Sequence, residues 1–372
     1  MSSRPALRVA FATIPSDQPG GIAATEHVLQ AACARTGRLV PLTLPFGRRG
    51  GSGNAVKRTL EGVQDLGAFA RLVRAEKPDL VHFDSAFDRR ALVRDACYAL
   101  LARALGQATY FKFHGSDPAL VATRSPGWRA LIALVLGSAT GVGVLSAAER
   151  EALVARGADG AKIDVVKNVV PWRRFEGVPR PVRTRNRLLF LARLVPTKGL
   201  ADAVRAVALL AREGRATTLD VVGDGPSRAP AEALARELGI EHAVTFHGHV
   251  PEAETTRFYL ECGMLVLPTE REGFSMTIFQ ALAAGLPILT TRVNAAADWL
   301  VEPDHVRWIP VKDPAGVARQ VAWLLDHPED TNRMSALGPA RAKLFDEDVL
   351  AAEAIDRYSS LLARHPMTPG DR

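Results

Sequence analysis

Two doubly wound α/β units, each on a parallel sheet, are what this sequence predicts, and three observations predict them. Short apolar runs alternate with longer amphipathic ones along the chain, the pattern of strands joined by crossover helices. The alternation stops once, at 171–187, where Pro171, Pro179 and Pro181 stand among Arg173, Arg174, Arg180, Arg183, Arg185 and Arg187, and then restarts. The length, 372 residues, favours two domains, and two cores of roughly 170–180 residues would each bury enough apolar surface to fold.

In the first half, strands are expected at 7–13, 39–44, 79–84, 108–113, 141–145 and 163–166, with helices between them, among them 22–35, 89–105 and 147–156. Prolines exclude a helix interior or a central strand at 171–187, so this stretch is expected as a linker between domains 1–170 and 188–345. In the second half, strands are expected at 188–192, 219–222, 244–246, 264–267, 288–291 and 306–309. Pro314 opens a helix in its favoured first turn. The tail, 346–372, carries one long helix over 346–364 that either caps the second domain or crosses back to the first.

Composition narrows the function. The chain is 47% hydrophobic and 23% charged, as in ordinary globular proteins. Cys33, Cys97 and Cys262 are far apart and form no CxxC or Cys/His cluster, so neither a disulfide framework nor a zinc site is indicated. The N-terminal apolar run is too short for a signal peptide, and 130–145 is broken by Gly137, Ser138, Thr140, Gly141 and Gly143, which reads as a helix end and a strand rather than a membrane span. A cytoplasmic protein is the expectation. Net charge is +7, and 35–60 holds Arg35, Arg38, Arg48, Arg49, Lys57 and Arg58 without an acid. That run is a solvated loop, or it meets an anionic acceptor or the inner face of a membrane. Nucleic acid is disfavoured, because no aromatic residues interleave with the charges.

The densest pattern lies at 264–291. The apolar run Met264-Leu-Val-Leu-Pro268 is a buried strand, TEREGF is a polar loop, Ser275 stands where it can cap a helix that Gly285 ends, and the next strand begins beyond Pro287. Parallel sheets bind ligands at the carboxyl ends of their strands. A helix N-terminus there is an anion site. Gly273 permits close backbone approach, and the Glu272 carboxylate can accept hydrogen bonds from sugar hydroxyls. Gln280, about 7–8 Å further along the helix axis, could touch a ribose with a diphosphate between. A surface glutamate and an ordinary helical glutamine are the plainer alternatives.

This segment resembles family 4 of the retaining glycosyltransferases, which has the GT-B fold: two Rossmann-like domains facing a central cleft. The family's glutamate, seven residues, then a second glutamate is matched by Glu272, with Gly273, Phe274 and Ser275 beside it and Ala283, Gly285, Pro287 and Ile288 closing the motif; Gln280 replaces the second acid. The resemblance runs along nearly the whole chain. Arg193 and Lys198, in Leu191-Ala-Arg-Leu-Val-Pro-Thr-Lys-Gly199, would bind the donor diphosphate, and two cations after a strand suit a diphosphate better than one. Gly223 and Gly225 match the family's V-G-x-G-P turn, which contacts donor or is simply a tight turn; a dehydrogenase fingerprint is excluded by Arg228 at the third glycine place. His247 and Gly248 lie in the F-x-G-x-V that borders the nucleotide base, and His247 with His249 lacks a third metal ligand. Gly20 and Gly21 match a double glycine near donor phosphate and acceptor, and His114, in Phe113-His-Gly-Ser-Asp117, matches a histidine near the reacting sugar. Asp117 touches the acceptor or caps the following turn. At the domain junction only Asn168 and Val169 hold, and Asn294 to Asp298 reads N-A-A-A-D where the family has G-G-x-x-E.

The resemblance implies a retaining transferase that moves a sugar from a nucleoside diphosphate, UDP favoured, to a glycan, lipid-linked or small-molecule acceptor in polysaccharide or glycoconjugate biosynthesis. His114, Glu272, Lys198 and Arg193 would form the catalytic set, with no metal and no cofactor. A nucleotide-sugar epimerase or hydrolase on the same architecture, and a non-catalytic sugar-nucleotide-binding homologue, remain as alternatives; the fate of the donor separates all three.

Overall fold

The computed structural model describes residues 6–13, 21–46, 55–179 and 182–364. The chain divides into two compact units, Met1–Val169 with Glu347–Arg372, and Val170–Asp346.

The first unit is built on six parallel strands: β1 (Leu7–Thr13), β2 (Leu39–Pro45), β3 (Leu80–Phe87), β4 (Thr109–Ser116), β5 (Gly141–Val144) and β6 (Ile163–Val165), in the order β2-β1-β3-β4-β5-β6. Its direction of winding reverses between β1 and β3, so the loops after these strands open the crevice where such sheets take ligands. Phe11, Phe83, Phe111 and Phe113 are fully buried, and Phe83 stacks on Phe111 at 4.6 Å between ring centroids. The strands read as near-continuous apolar runs because helices cover both faces. Asp88 starts one of those helices, Arg89–Ala104: its Oδ1 accepts the N–H groups of Arg90 at 2.8 Å and Ala91 at 2.9 Å.

The C-terminal helix, Glu347–Arg364, packs on this first unit. Leu350, Ala351, Ala354, Ile355, Tyr358 and Leu361 share a buried cluster with Val9, Phe11, Leu80 and Tyr110. Its acids also change the meaning of the basic stretch. Arg35 pairs with Glu347 at 2.5 Å and Asp348 at 2.8 Å, and Arg38 with Asp356 at 2.6 Å. The run is acid-free in sequence, but at Arg35 and Arg38 it is offset in the fold. Arg48 and Arg49 lie outside the described residues.

The second unit has β7 (Thr184–Leu191), β8 (Thr218–Val222), β9 (Val244–Gly248), β10 (Cys262–Leu267), β11 (Ile288–Thr290) and β12 (Arg307–Trp308), parallel in the order β12-β11-β10-β7-β8-β9. Numbered from β7 this is 3-2-1-4-5-6, the dinucleotide-binding order, and it reverses between β7 and β10. Regular structure enters both ends of the linker expected at 171–187. Residues from Val170 onward belong to the second unit, Trp172–Phe175 form a turn of 3₁₀ helix, and β7 begins at Thr184. Proline is what excludes a strand, and the last proline is Pro181. Arginine does not: Arg187, already on β7, reaches Asp220 on β8 at 2.5 Å. No described helix is long and apolar enough to cross a membrane.

Candidate active site

In the second unit, the segments after β7 and β10 meet at the switch point. The Glu270 N–H donates to the Thr197 carbonyl at 2.8 Å, and the Thr269 hydroxyl to the same oxygen at 3.1 Å. This lacing brings Lys198 and Glu272, 74 residues apart, into a direct ion pair between Nζ and Oε1, with 17% and 12% of the two side chains exposed. Arg193 lies on the same loop as Lys198; its side chain is exposed and holds no hydrogen bond or ion pair among the described residues. A carboxylate and the ammonium that neutralises it therefore stand at a strand edge, and an exposed guanidinium is carried on the loop that leads from β7 to them.

The helix Met276–Ala284 starts beside this pair. Ser275 occupies the N-cap position, but its side chain makes no cap hydrogen bond, contrary to the expected capping role. Its φ of −80° and ψ of 104° give the extended entry, and the first-turn N–H groups are left without a side-chain acceptor from it. Phe274 stacks on Phe279 at 4.1 Å and meets Phe345 edge-on at 5.8 Å, which pins the backbone beside Gly273 and Glu272. Gln280 is buried and engaged inside the unit. Its Oε1 accepts the Tyr259 hydroxyl at 2.9 Å, and its Nε2 donates to Glu252 Oε1 at 2.9 Å. These bonds hold the amide in place and use one of the two lone pairs of Oε1 and one of the two hydrogens of Nε2.

Gly223 and Gly225 serve the loop that carries Arg193. Their φ values are +130° and +150°, and a Cβ would stand 1.9 Å from the Ala192 oxygen or 2.5 Å from the Leu194 oxygen. The turn and the loop are also joined by hydrogen bonds, Leu194 N–H to Asp224 O and Ser227 N–H to Leu194 O, both 2.9 Å. The geometry is that of a tight turn that braces the loop. Gly248 joins the same framework, its carbonyl accepting the Gly223 N–H at 2.8 Å.

His247 points into a charged ladder across the sheet. Its Nε2 lies 2.5 Å from Asp220 Oδ1, and Arg187 holds the other oxygen of that carboxylate at 2.5 Å. Burial alone would push the Asp220 carboxyl up, but hydrogen bonds and charge from Arg187 and His247 outweigh it and hold the group below its usual range. A carboxyl whose folded pKa lies below its unfolded one stabilises the fold above the unfolded value, near pH 4, and loses that contribution as pH falls through the folded value. Asp220→Asn is therefore expected to lower the melting temperature at pH 7 and to flatten its fall between about pH 5 and pH 2. Thermal melts over that range are the measurement, and an unchanged acid limb would remove Asp220 as its source.

The first unit places His114 near the end of β4, but in company the sequence did not announce. His114 Nε2 lies 3.1 Å from Asp84 Oδ1 on β3 and 3.6 Å from Glu26 Oε1 on the helix Gly21–Arg35. Lys112, two residues before His114, reaches the same Glu26 oxygen at 2.5 Å. His82, two residues before Asp84, has Nε2 3.2 Å from Asp84 Oδ1 and Nδ1 2.5 Å from the Tyr358 hydroxyl. The His82, Asp84, Lys112, His114 and Glu26 side chains are each at most 4% exposed. Burial would raise the Asp84 carboxyl, yet charge and hydrogen bonds from His82 and His114 hold it well below its usual range. Glu26, Asp84 and His114 present ligand atoms within 4.8 Å of one another, a spacing that could surround a cation, and the Lys112 ammonium supplies positive charge at that place. Asp117 caps the short helix that follows, accepting the Ala119 N–H at 3.0 Å. Gly21 is the first residue of the helix Gly21–Arg35, and Gly20 lies outside the described residues.

Two doubly wound units with cations and a helix N-terminus at a switch point define the GT-B class of glycosyltransferases. The chain belongs to glycosyltransferase family 4: the "Glycosyl transferase 4-like domain" matches residues 7–169 and "Glycosyl transferases group 1" matches 175–341. It is 30% identical over 207 residues to the MMP alpha-(1->4)-mannosyltransferase of Mycolicibacterium hassiacum, covering 55% of this chain and 49% of that protein. It is 32% identical over 219 residues to the 2-deoxystreptamine glucosyltransferase of Streptomyces kanamyceticus, covering 55% and 56%. The chain thus matches about half the length of these curated relatives. Anabaena Alr3699/HepE, solved in complex with UDP, shares the fold with a TM-score of 0.72 at 15% identity, over 95% of this chain and all of that one.

Proposed function

We propose that this chain transfers a glycosyl group from a nucleoside-diphosphate sugar to a carbohydrate, lipid-linked or small-molecule acceptor, with retention at the anomeric carbon. The observation that carries the reading is the Lys198–Glu272 pair at the switch point of the second sheet, with Arg193 beside it. The donor diphosphate takes Lys198 and Arg193 as its counter-charges, and the first turn of the helix Met276–Ala284 adds N–H donors. Release of Lys198 to the diphosphate frees Glu272 to accept sugar hydroxyls. As the bond to the leaving oxygen lengthens, negative charge grows on the diphosphate, and the same cations stabilise it. Two protein cations and a helix N-terminus supply the neutralisation a metal would otherwise give, so no metal is required. UDP is the favoured nucleotide, a choice supported by the UDP complex of the fold neighbour. The first unit receives the acceptor, with His114 as a polar contact to substrate. The acid-free run at 35–60, reduced by the pairing of Arg35 and Arg38, supports at most a peripheral contact with an anionic surface.

The departures from the family pattern at Gln280, at Asn294 and at the domain junction support a second reading, a homologue that binds nucleotide without turning it over. One experiment decides between the two and tests the role of metal. The protein is screened by thermal shift with UDP, GDP, ADP and dTDP sugars, since a ligand of the native state raises its stability. The donor that binds is then incubated with an acceptor panel, with and without EDTA, and followed by mass spectrometry. A glycosylated product at an EDTA-insensitive rate is expected. Isomerised or hydrolysed donor without product, or binding without turnover, would overturn the transferase reading.

A further inference from the structure

Gln280 lacks the charge of the acid it replaces, but a carboxylate stands one hydrogen bond away. Its Nε2 donates to Glu252 Oε1 at 2.9 Å, and Glu252 opens the 3₁₀ turn Glu252–Thr255 just beyond β9. Gln280 lies on the helix after β10, and in the sheet β7 and β8 stand between β10 and β9. The contact therefore crosses the carboxyl edge from which the Arg193 loop and the Gly223 turn leave. Gly248, at the end of β9, is already joined to that turn through the Gly223 N–H. Sheets of this kind take ligands at this edge.

The Glu252 carboxylate is held by one oxygen only. Arg174 grips the turn without needing the carboxylate: its Nη2 donates to the Glu252 carbonyl oxygen at 2.8 Å, to the Thr255 hydroxyl at 2.9 Å and to the Thr256 hydroxyl at 2.8 Å. The remaining contact, Nη1 to Glu252 Oε1 at 3.3 Å, falls on the same oxygen that takes Gln280. Oε2 has no hydrogen bond or ion pair among the described residues, and 63% of the side chain is exposed. As a surface ion pair this arrangement would add little stability. Its effect is to fix a carboxylate by one oxygen and leave the other open. A phosphate is repelled by that oxygen, and a metal ion would meet the charge of Arg174. A neutral hydroxyl donor is what it fits.

We propose that Glu252 is a substrate-binding residue whose open oxygen accepts a ribose hydroxyl of the nucleotide donor, with Gln280 and Arg174 holding the carboxylate in place. The charge absent at position 280 is then supplied from the loop after β9. The inference rests on the reading of the second unit as a nucleotide-sugar site. It also has a consequence for the family motif: Gln280→Glu, which restores the second acid, sets a second carboxylate against Glu252 and should harm binding rather than improve it.

Calorimetric titration of the full chain with UDP, 2′-deoxy-UDP and 3′-deoxy-UDP, or the same series of whichever base binds, tests it. Wild type is expected to bind the ribonucleotide about 10–100-fold more tightly than at least one deoxy form, the scale for a hydrogen bond to a charged group. Glu252→Ala truncates an exposed side chain and is expected to erase that preference. Affinity for the ribonucleotide should fall by a similar factor, while affinity for the disfavoured deoxy form changes by less than about threefold. Gln280→Glu alone is expected to weaken ribonucleotide binding, and adding Glu252→Gln, which puts an amide back opposite the acid, to recover it to within about threefold of wild type. Equal losses for the ribonucleotide and both deoxy forms in Glu252→Ala would mean that Glu252 only braces the turn, and would overturn the proposal. So would an unchanged ribonucleotide affinity in Glu252→Ala, or a Gln280→Glu protein that binds more tightly than wild type. If wild type binds no nucleoside diphosphate, this contact and the proposed function fall together. If it binds one but transfers no sugar, the transferase reading alone falls, and the deoxy comparison still decides the contact.

Discussion

Lys198→Ala and Glu272→Ala are expected to cut transfer steeply by different routes, and nucleotide affinity separates them. In the free protein the two charges neutralise each other at a site where little of either side chain is exposed. A diphosphate must compete with Glu272 for Lys198. Removing Lys198 takes away a counter-charge of the leaving group and leaves the Glu272 carboxylate facing it. Both nucleoside-diphosphate binding and kcat should drop, kcat by about 10²–10³-fold, the scale for losing one preorganised charge-stabilising group. Removing Glu272 frees Lys198. Nucleoside-diphosphate binding should hold or tighten, because an internal competitor is gone, while transfer falls by a similar factor as the sugar loses its anchor. Calorimetric affinity for the nucleoside diphosphate, set beside initial rates, is the measurement. Equal weakening of nucleotide binding in both variants would show that Glu272 acts by holding Lys198 in place rather than by touching sugar, and full activity in both would remove the pair from the site.

The sequence made the pair legible because its cues are local. Apolar runs end at Ala192 and Pro268, and charges follow within two residues, so strand, loop and helix start can be placed from a few neighbours. The first unit's cluster was legible only in part. His114 was found through its family motif, while Glu26, His82, Asp84, Lys112 and Tyr358 come from four separate elements joined only by packing. One signal was available. His82 and Asp84 stand two apart inside an apolar run, as do Lys112 and His114, and alternation by two puts each pair on one face of its strand. In the parallel register Asp84 lies opposite Lys112. Charged groups inside strands covered on both faces must find partners, so two such pairs in neighbouring strands already implied a buried network. The offset of Arg35 and Arg38 had no such signal, because their acids lie more than 300 residues further along the chain.

Gly223→Ala is expected to have the largest effect on stability of any single methyl addition in the second unit's switch-point loops. Two costs add. At φ +130° an L side chain is strained, by about 1–3 kcal/mol. The added Cβ also stands 1.9 Å from the carbonyl oxygen of Ala192, a backbone atom that cannot rotate away, and forcing such a shift costs a further 1–3 kcal/mol or about that. A loss of about 2–6 kcal/mol corresponds to a fall in melting temperature of roughly 5–20 °C for a unit of this size. Gly67→Ala is the matched control: Gly67 lies within the helix Ala55–Glu76 with nothing within 4 Å of its added Cβ, and there alanine should be neutral or stabilising by up to about 1 kcal/mol. Function should follow structure, because the backbone that must yield leads directly into Arg193. Relief of the clash moves Ala192 away from the turn, stretches the Leu194 N–H bond to Asp224 O and displaces the guanidinium set against the diphosphate. Nucleoside-diphosphate affinity should therefore weaken even at temperatures where Gly223→Ala is fully folded. A variant that melts within about 2 °C of wild type and binds nucleotide as tightly would mean that this turn does not clamp the Arg193 loop.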